Sequence, residues 1–154
     1  MRSSRIIMPS DTNPMGNAYG GSIVKYLDEI AAVVARRHAR NNVVTASIER
    51  MDFLAPVYLG DLLIFKCALV YTGRTSMIVG CRIEAEDMSS GKVSKTGSSY
   101  LTFVALDRNG KPAPVDPVEP TNDEERRWHQ KGRIVREQSK ALTKALKDHD
   151  VPGA

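Results

Sequence analysis

The chain has 154 residues, 42% of them hydrophobic and 26% charged, a balance that suits one globular domain with a core of its own. No apolar run reaches the roughly 18 residues that a membrane span needs. The opening "MRSSRIIMPS" has too short an apolar centre for a secretory signal before Pro9 interrupts it, so a cytoplasmic protein is expected. The net charge of +4 is unevenly placed: residues 121–147 hold eight Lys or Arg against four acids, while the remainder has fourteen of each.

In chain order, a short extended piece around Arg5 to Met8 leads into a loop rich in Pro, Asn, Asp and Ser from Pro9 to Gly16. A helix is expected from about Gly21 to Ala39. Its apolar residues Ile23, Leu27, Ile30 and Val34 recur at helical spacing, and Val24, Ala31, Ala32, Val33 and Ala35 widen the stripe until the helix must be mostly buried. From Val43 the period changes to two. The runs "VVTASIERM", "DLLIFKCALVYTG", "SMIVGCRIEAED" and "VSKTGSSYLTFVAL" read as four strands, separated by Pro56 to Gly60, "TGRT" and "MSSGK". In the third run Met77, Val79, Cys81, Ile83 and Ala85 alternate with Ser76, Arg82, Glu84 and Glu86, which predicts one packed and one wet face. Short links favour an antiparallel meander, and one long helix plus one antiparallel sheet gives an α+β architecture with the sheet wrapped around the helix. The proline-rich segment 107–120 is a surface linker. Thr121 with Glu124 three residues on forms a capping box for a charged amphipathic helix that Gly132 is expected to break or bend.

Cys67 and Cys81 sit in strand patterns without metal-ligand spacing and are expected as buried free thiols; no metal site is visible. His38, His129 and His149 are scattered over helix ends and the tail and read as solvated surface residues.

The chemistry concentrates in "NPMGNAYGGSIVKYLDEIAA", residues 13–32. Gly20 and Gly21 at a helix start allow close approach of a ligand, and first-turn N–H groups have no intrahelical partner, so they can hold an oxyanion or merely permit tight packing. Glu29 is accounted for by an ion pair with Lys25 one turn earlier. Asp28 projects from a mostly apolar face, which calls for a bridge to Lys25 or an arginine, or for a task. Asn17 is a turn residue, a cap, or an amide that orients a water or a carbonyl. Eight residues of helix span about 12 Å, so Asn17 and Asp28 can cooperate only if the second comes from another subunit with an antiparallel helix.

The segments "GNAYGG", "KYLDEIAAVVARRH", "VVTASIERMDFLAPVYLGD", "YTGRTSM" and "EPTNDEERR" together cover most of residues 8–135. In this ordered set the chain resembles the hotdog-fold acyl-CoA thioesterases, in the branch of cytosolic acyl-CoA hydrolases that includes a two-domain brain enzyme and single-domain bacterial relatives. The resemblance implies a hotdog domain over 1–120 and a basic C-terminal helical extension over 121–154. It implies hydrolysis of fatty acyl-CoA to a free acid and CoA, with no cofactor beyond the CoA of substrate and product. The site residues it implies are Asn17 of one subunit and Asp28 of its neighbour. Asp28 would act as general base or as a nucleophile forming an acyl intermediate, Asn17 would position water or thioester, and the Gly20 and Gly21 amides would hold the oxyanion. A homodimer would then carry two complete sites, and the family suggests a hexamer built as a trimer of dimers. Tyr19 stands where relatives often have His or Phe, a change that bears on the acyl pocket.

The phosphates of CoA need cationic and hydrogen-bonding groups, for which the turn offers Arg74, Thr75 and Ser76 and the basic tail offers Lys131 and Arg133. The competing readings are an acyl-CoA or nucleotide sensor of the same fold without turnover, and a nucleic-acid-binding module using the tail. The last is disfavoured by the neutral remainder, nine aromatics and no recognised nucleic-acid motif.

Overall fold

A computed structural model describes residues 1–147; His149 and the end of the extension lie outside them. The elements are β1 (Arg2–Ile6), a 3-10 turn (Pro9–Asp11), α1 (Gly20–Ala39), β2 (Asn42–Phe53), β3 (Leu62–Thr72), β4 (Ser76–Glu86), β5 (Val93–Leu106) and α2 (Asp123–Leu146). The strands form one antiparallel sheet in the order β1-β3-β4-β5-β2. This is a hotdog fold, with α1 lying in the curl of the sheet.

Only β3, β4 and β5 form the expected meander. The link 54–61 carries the chain from β2 at one edge to β3 near the other, and it is held on the way by Leu54 N–H to Thr96 O (2.8 Å) and Ala18 N–H to Val57 O (2.7 Å). A short link therefore did not mean adjacent strands, because these bonds guide it past the start of α1. At the far end of α1, Arg40 adopts the left-handed conformation (φ 54°) and its N–H bonds to Arg36 O, which ends the helix.

The core lies between α1 and the inner face. Ile23, Tyr26, Leu27, Ala31 and Ala35 of α1 meet Leu63, Phe65, Met77, Val79, Leu101 and Phe103. Each large side chain so buried contributes about 1.5–3 kcal/mol. The helix is not mostly buried as expected: Val33 is 43% exposed, because a single sheet covers one side of a helix and, among the described residues, nothing lies on the other side of the widened apolar stripe.

The outer face differs from its sequence reading. In β4, Ile78 is fully buried and Glu84 is only 5% exposed; α2 packs on β3 and β4, and Glu84 lies between the side chains of Lys66 and Arg82 that bond it. Gly132 makes this docking possible and leaves α2 unbroken: a Cβ there would stand 2.5 Å from Val70 O. The expected bend is absent because the glycine serves close approach. The cap is shifted by one residue, with Asn122 accepting from Glu125 N–H (2.9 Å) and Glu125 accepting from Thr121 N–H (2.7 Å).

The cysteines are not free. Cys67 and Cys81 face each other in the β3–β4 register and form a disulfide with Cα atoms 4.2 Å apart. Positions placed evenly about the turn pair directly across the ladder with side chains on one face, a relation set by register and invisible in a spacing of 14 residues.

Candidate active site

The segment Met8–Tyr19 is organised around one carboxylate. Asp11, 4% exposed, accepts from Met8 N–H (2.9 Å) and from the Tyr26 hydroxyl of α1, while its backbone oxygen accepts from Tyr19 N–H (2.8 Å). Burial alone would raise the Asp11 carboxyl, but the bonds from Tyr26 and Met8 and the charge of Arg5 outweigh it and hold the group below the usual carboxylate range. Bonding to Asp11 pushes the Tyr26 hydroxyl up. The Arg5 guanidinium lies 3.9 Å from the Tyr26 ring centroid.

Within this frame Asn13 makes a turn on itself. Its side-chain oxygen accepts from Met15 N–H (3.0 Å) and Asn17 N–H (3.2 Å), and its own N–H reaches Asn17 O (2.8 Å). Asn13 and Asn17 line a cavity of about 500 Å³ with Ala18, Gly20, Ile23 and residues 53–57. The amides of Gly20 and Gly21 find no backbone acceptor among the described residues, and Gly21 is exposed with nothing within 4 Å of the position of a Cβ. At Gly20 a Cβ would stand 3.0 Å from the Phe53 ring, so that glycine lets the aromatic wall close on the start of the helix.

Asp28 does not line this cavity. It is half-buried, two turns along α1, and accepts from the Thr45 hydroxyl of β2 at 2.6 Å. Among the described residues no lysine or arginine bridges Asp28, and Glu29 makes no ion pair with Lys25, whose Nζ lies 5.9 Å from the Tyr26 ring centroid. The bland explanation of Asp28 as one end of a salt bridge is thereby removed. Thr45 and Asn13 were not singled out in the sequence. Thr45 carries a weak signal, a hydroxyl at the start of the strand that follows the helix, and Asn13 a better one, the Asn-Pro of a turn.

The candidate CoA-binding residues are dispersed. Arg74, Thr75 and Ser76 lie at the β3–β4 turn, where the backbone oxygens of Arg74 and Thr75 accept from Val115 and Ala105 N–H (both 3.0 Å) and the Arg74 side chain is exposed. Lys131 and Arg133 flank Gly132 on α2. With Gly132 pressed to the sheet they splay to opposite sides of the helix, and Lys131 overhangs the outer face of the sheet, away from α1. His38 Nε2 is 2.7 Å from Asp116 O and His129 lies 6.0 Å from the Tyr71 ring; both are half-buried rather than freely solvated. Among the described residues no group of three His, Cys, Asp or Glu could hold a metal ion, and no helix is long and apolar enough to cross a membrane.

A profile of the thioesterase superfamily matches residues 15–92. The uncharacterized acyl-CoA thioester hydrolase YkhA of Bacillus subtilis is 39% identical over 84% of this chain and 74% of its own. The chain belongs to the thioesterase superfamily. A hexameric acyl-CoA thioesterase solved in apo form superposes with a TM-score of 0.88 at 40% identity, covering 93% of this chain and 92% of that one. An acyl-CoA hydrolase from Staphylococcus aureus, solved with butyryl-CoA, CoA and CoA disulfide, gives 0.89 at 38% identity over 96% and 90%.

Proposed function

We propose that the protein is an acyl-CoA hydrolase whose active site is shared between two subunits. The observation that carries the reading is the Thr45–Asp28 hydrogen bond on the open side of α1. It holds an unbridged carboxylate beside an apolar surface while leaving oxygen lone pairs free for water. The spacing supports it. The Staphylococcus aureus enzyme was also solved as alanine variants of an asparagine, of an aspartate fifteen positions later and of a threonine seventeen positions beyond that. Asn13, Asp28 and Thr45 repeat both intervals here.

Asn13 is therefore the acting asparagine in this proposal, ahead of its neighbour Asn17. Its side-chain oxygen is committed to Met15 and Asn17, so the amide plane is fixed and the NH₂ end is the available donor. A thioester carbonyl placed at the start of α1 takes the N–H groups of Gly20 and Gly21. Asp28 of the other subunit removes a proton from water as its oxygen adds to the carbonyl carbon. Collapse then breaks the C–S bond, and the thiolate of CoA leaves and takes up a proton. No metal or cofactor enters this scheme. Arg74, Lys131 and Arg133 would meet CoA phosphates where neighbouring subunits bring them together.

A dimer suits the unpartnered surfaces. The edge strand β2 has no second neighbour among the described residues, and Val33, Val44, Ile48, Phe53 and Leu54 stand exposed around it and along α1. Assembly of such dimers into a hexamer follows the hexameric relative. A cytoplasmic location agrees with the cytosolic acyl-CoA thioester hydrolase of Rattus norvegicus, 32% identical over 88% of this chain, which spans 36% of that protein.

Release of CoA thiol from acyl-CoAs of short to long chain tests the activity, and complementation tests the site. Asn13→Ala and Asp28→Ala proteins should each be nearly inactive. A mixed dimer has one doubly defective and one intact site, so activity should return toward half the native value once mass spectrometry of tagged chains shows exchange. Exchanged dimers that stay dead refute the two-chain site. Repeating the experiment with Asn17→Ala separates the two asparagines, because that variant should keep most of its activity alone.

A further inference from the structure

The outer face of the sheet carries a cationic row that the hydrolytic scheme does not use. Arg2, Lys66 and Arg82 are successive cross-strand partners on β1, β3 and β4. Like charges placed directly opposite one another oppose pairing, so a row of three calls for a counter-charge. Among the described residues only one acid makes ion pairs with the row. Glu84, with 7% of its side chain exposed, bonds Lys66 Nζ at 2.7 Å and Arg82 Nε at 2.6 Å. Lys66, against the opposing effect of burial and with help from Arg82, holds Glu84 below the usual carboxylate range, so it stays ionised.

This buried clamp uses Nε of Arg82 and leaves its two terminal nitrogens without an ion pair among the described residues, on a side chain 57% exposed. Lys95, the cross-strand partner of Glu84, and Lys131, which overhangs from α2, are also without ion pairs among the described residues. These cations, with Glu124 of α2 as the one acid among them that makes no ion pair in the described residues, border a groove of about 720 Å³ between α2 and the sheet, within the size range of ligand pockets. Trp128 and Tyr100 supply aromatic surface on its two walls. The floor at Gly80 is already closed, with Tyr100 3.1 Å from where a Cβ would be.

We propose that this groove binds a nucleoside phosphate, its ring against Trp128 and its phosphates on Arg82, Lys95 and Lys131. Paired oxygens suit the forked guanidinium that Glu84 holds in place, and a flat heterocycle suits an exposed indole. The same chemistry comes from a free nucleotide or from the nucleotide end of CoA. The second source rests on the proposed function, and the first does not.

Trp128 is the chain's one tryptophan, so its fluorescence reports directly on the groove and calorimetry gives an independent measure. ADP and CoA should each bind the wild-type protein saturably and quench Trp128, more weakly as salt is raised. Pyrophosphate and adenosine should each bind at least about tenfold more weakly than ADP, since each keeps only half of the contacts. Lys95→Glu, at an exposed position, should weaken ADP binding about tenfold, the scale of one charge-assisted hydrogen bond, without changing Tm. CoA whose quench of Trp128 is displaced both by ADP and by acyl-CoA identifies the substrate's own nucleotide end. ADP that binds without such competition identifies a separate nucleotide site. Pyrophosphate binding as tightly as ADP, full affinity in Lys95→Glu, or no binding of any of the four at millimolar concentration overturns the proposal. None of these readings requires turnover, so failure of the hydrolase reading leaves the test intact.

Discussion

Asp11 and Asp28 are both carboxylates that accept from a hydroxyl on a neighbouring element, Tyr26 for the first and Thr45 for the second. Their settings are opposite. Asp11 is buried, bonded at both oxygens and faced by Arg5, so every lone pair that matters has a use inside the fold. Asp28 is half-buried, bonded at one oxygen and lies beside apolar surface that the chain leaves uncovered. A satisfied carboxylate holds structure together, whereas one kept partly unsatisfied at an edge is available for chemistry. Asp11 still serves the site at one remove, since it ties the loop carrying Asn13 to the helix carrying Asp28.

The sharpest way to break this comparison is to remove each carboxylate. Asp28→Ala should lower kcat on acyl-CoA by about 10²–10³, the scale of losing one preorganised transition-state contact, with Tm nearly unchanged. A variant that keeps its kcat would show that Asp28 is idle. Asp11→Ala should do the reverse in the first instance, destabilising the fold by about 1–3 kcal/mol because the Tyr26 hydroxyl and Met8 N–H lose their acceptor. For a chain of this size that lowers Tm by roughly 2–4 °C per kcal/mol. Equal effects of the two substitutions on Tm would erase the distinction drawn here.

The same contrast explains what could be read from the sequence. Periodicity located α1 and all four long strands to within a few residues, because alternation and helical stripes are local. Register is not local. The Cys67–Cys81 pairing, the placement of β2 beside β5 and the burial of Glu84 between Lys66 and Arg82 all depend on which residues meet across the sheet. Gly132 was read as a helix breaker because sequence shows what a glycine permits in its own backbone and hides what lies against it. Of the candidate site, Asp28 and the glycines stood out as misfits in an apolar helix. Thr45 did not, since a threonine in a strand is ordinary until the helix above it is known to carry an acid at that level.

Thr45 offers a finer test of the open carboxylate. If its hydroxyl orients Asp28, Thr45→Val, which keeps the shape and removes the donor, should lower kcat on the order of tenfold, the value of a single hydrogen bond to a charged group. KM should stay within about twofold, because Thr45 acts through Asp28 and does not bind CoA. Thr45→Ser should recover most of the loss. A serine variant as slow as the valine one would assign Thr45 to packing instead.

The smallest effect concerns acid. Because the Asp11 carboxyl is held below its ordinary value in the folded chain, the native state binds fewer protons than the unfolded one between the two pKa values, and stability rises with pH across that window. The contribution is fully present above the unfolded value of about 3.9 and is lost as pH falls through the folded one. Arg5 and Lys25 favour the ionised form of Asp11, while Glu29 acts with Asp11 to push the Tyr26 hydroxyl up. Asp11→Asn keeps an acceptor for Met8 or Tyr26 and removes the charge. Wild type should therefore be the more stable of the two at pH 6, and their Tm values should converge as pH drops below about 4. Glu84 and Glu49 titrate in both proteins, so the difference between the two curves isolates Asp11. A difference that stays constant down to about pH 2.5 would mean that the Asp11 charge contributes nothing to holding the loop, and that its role rests on hydrogen-bond geometry alone.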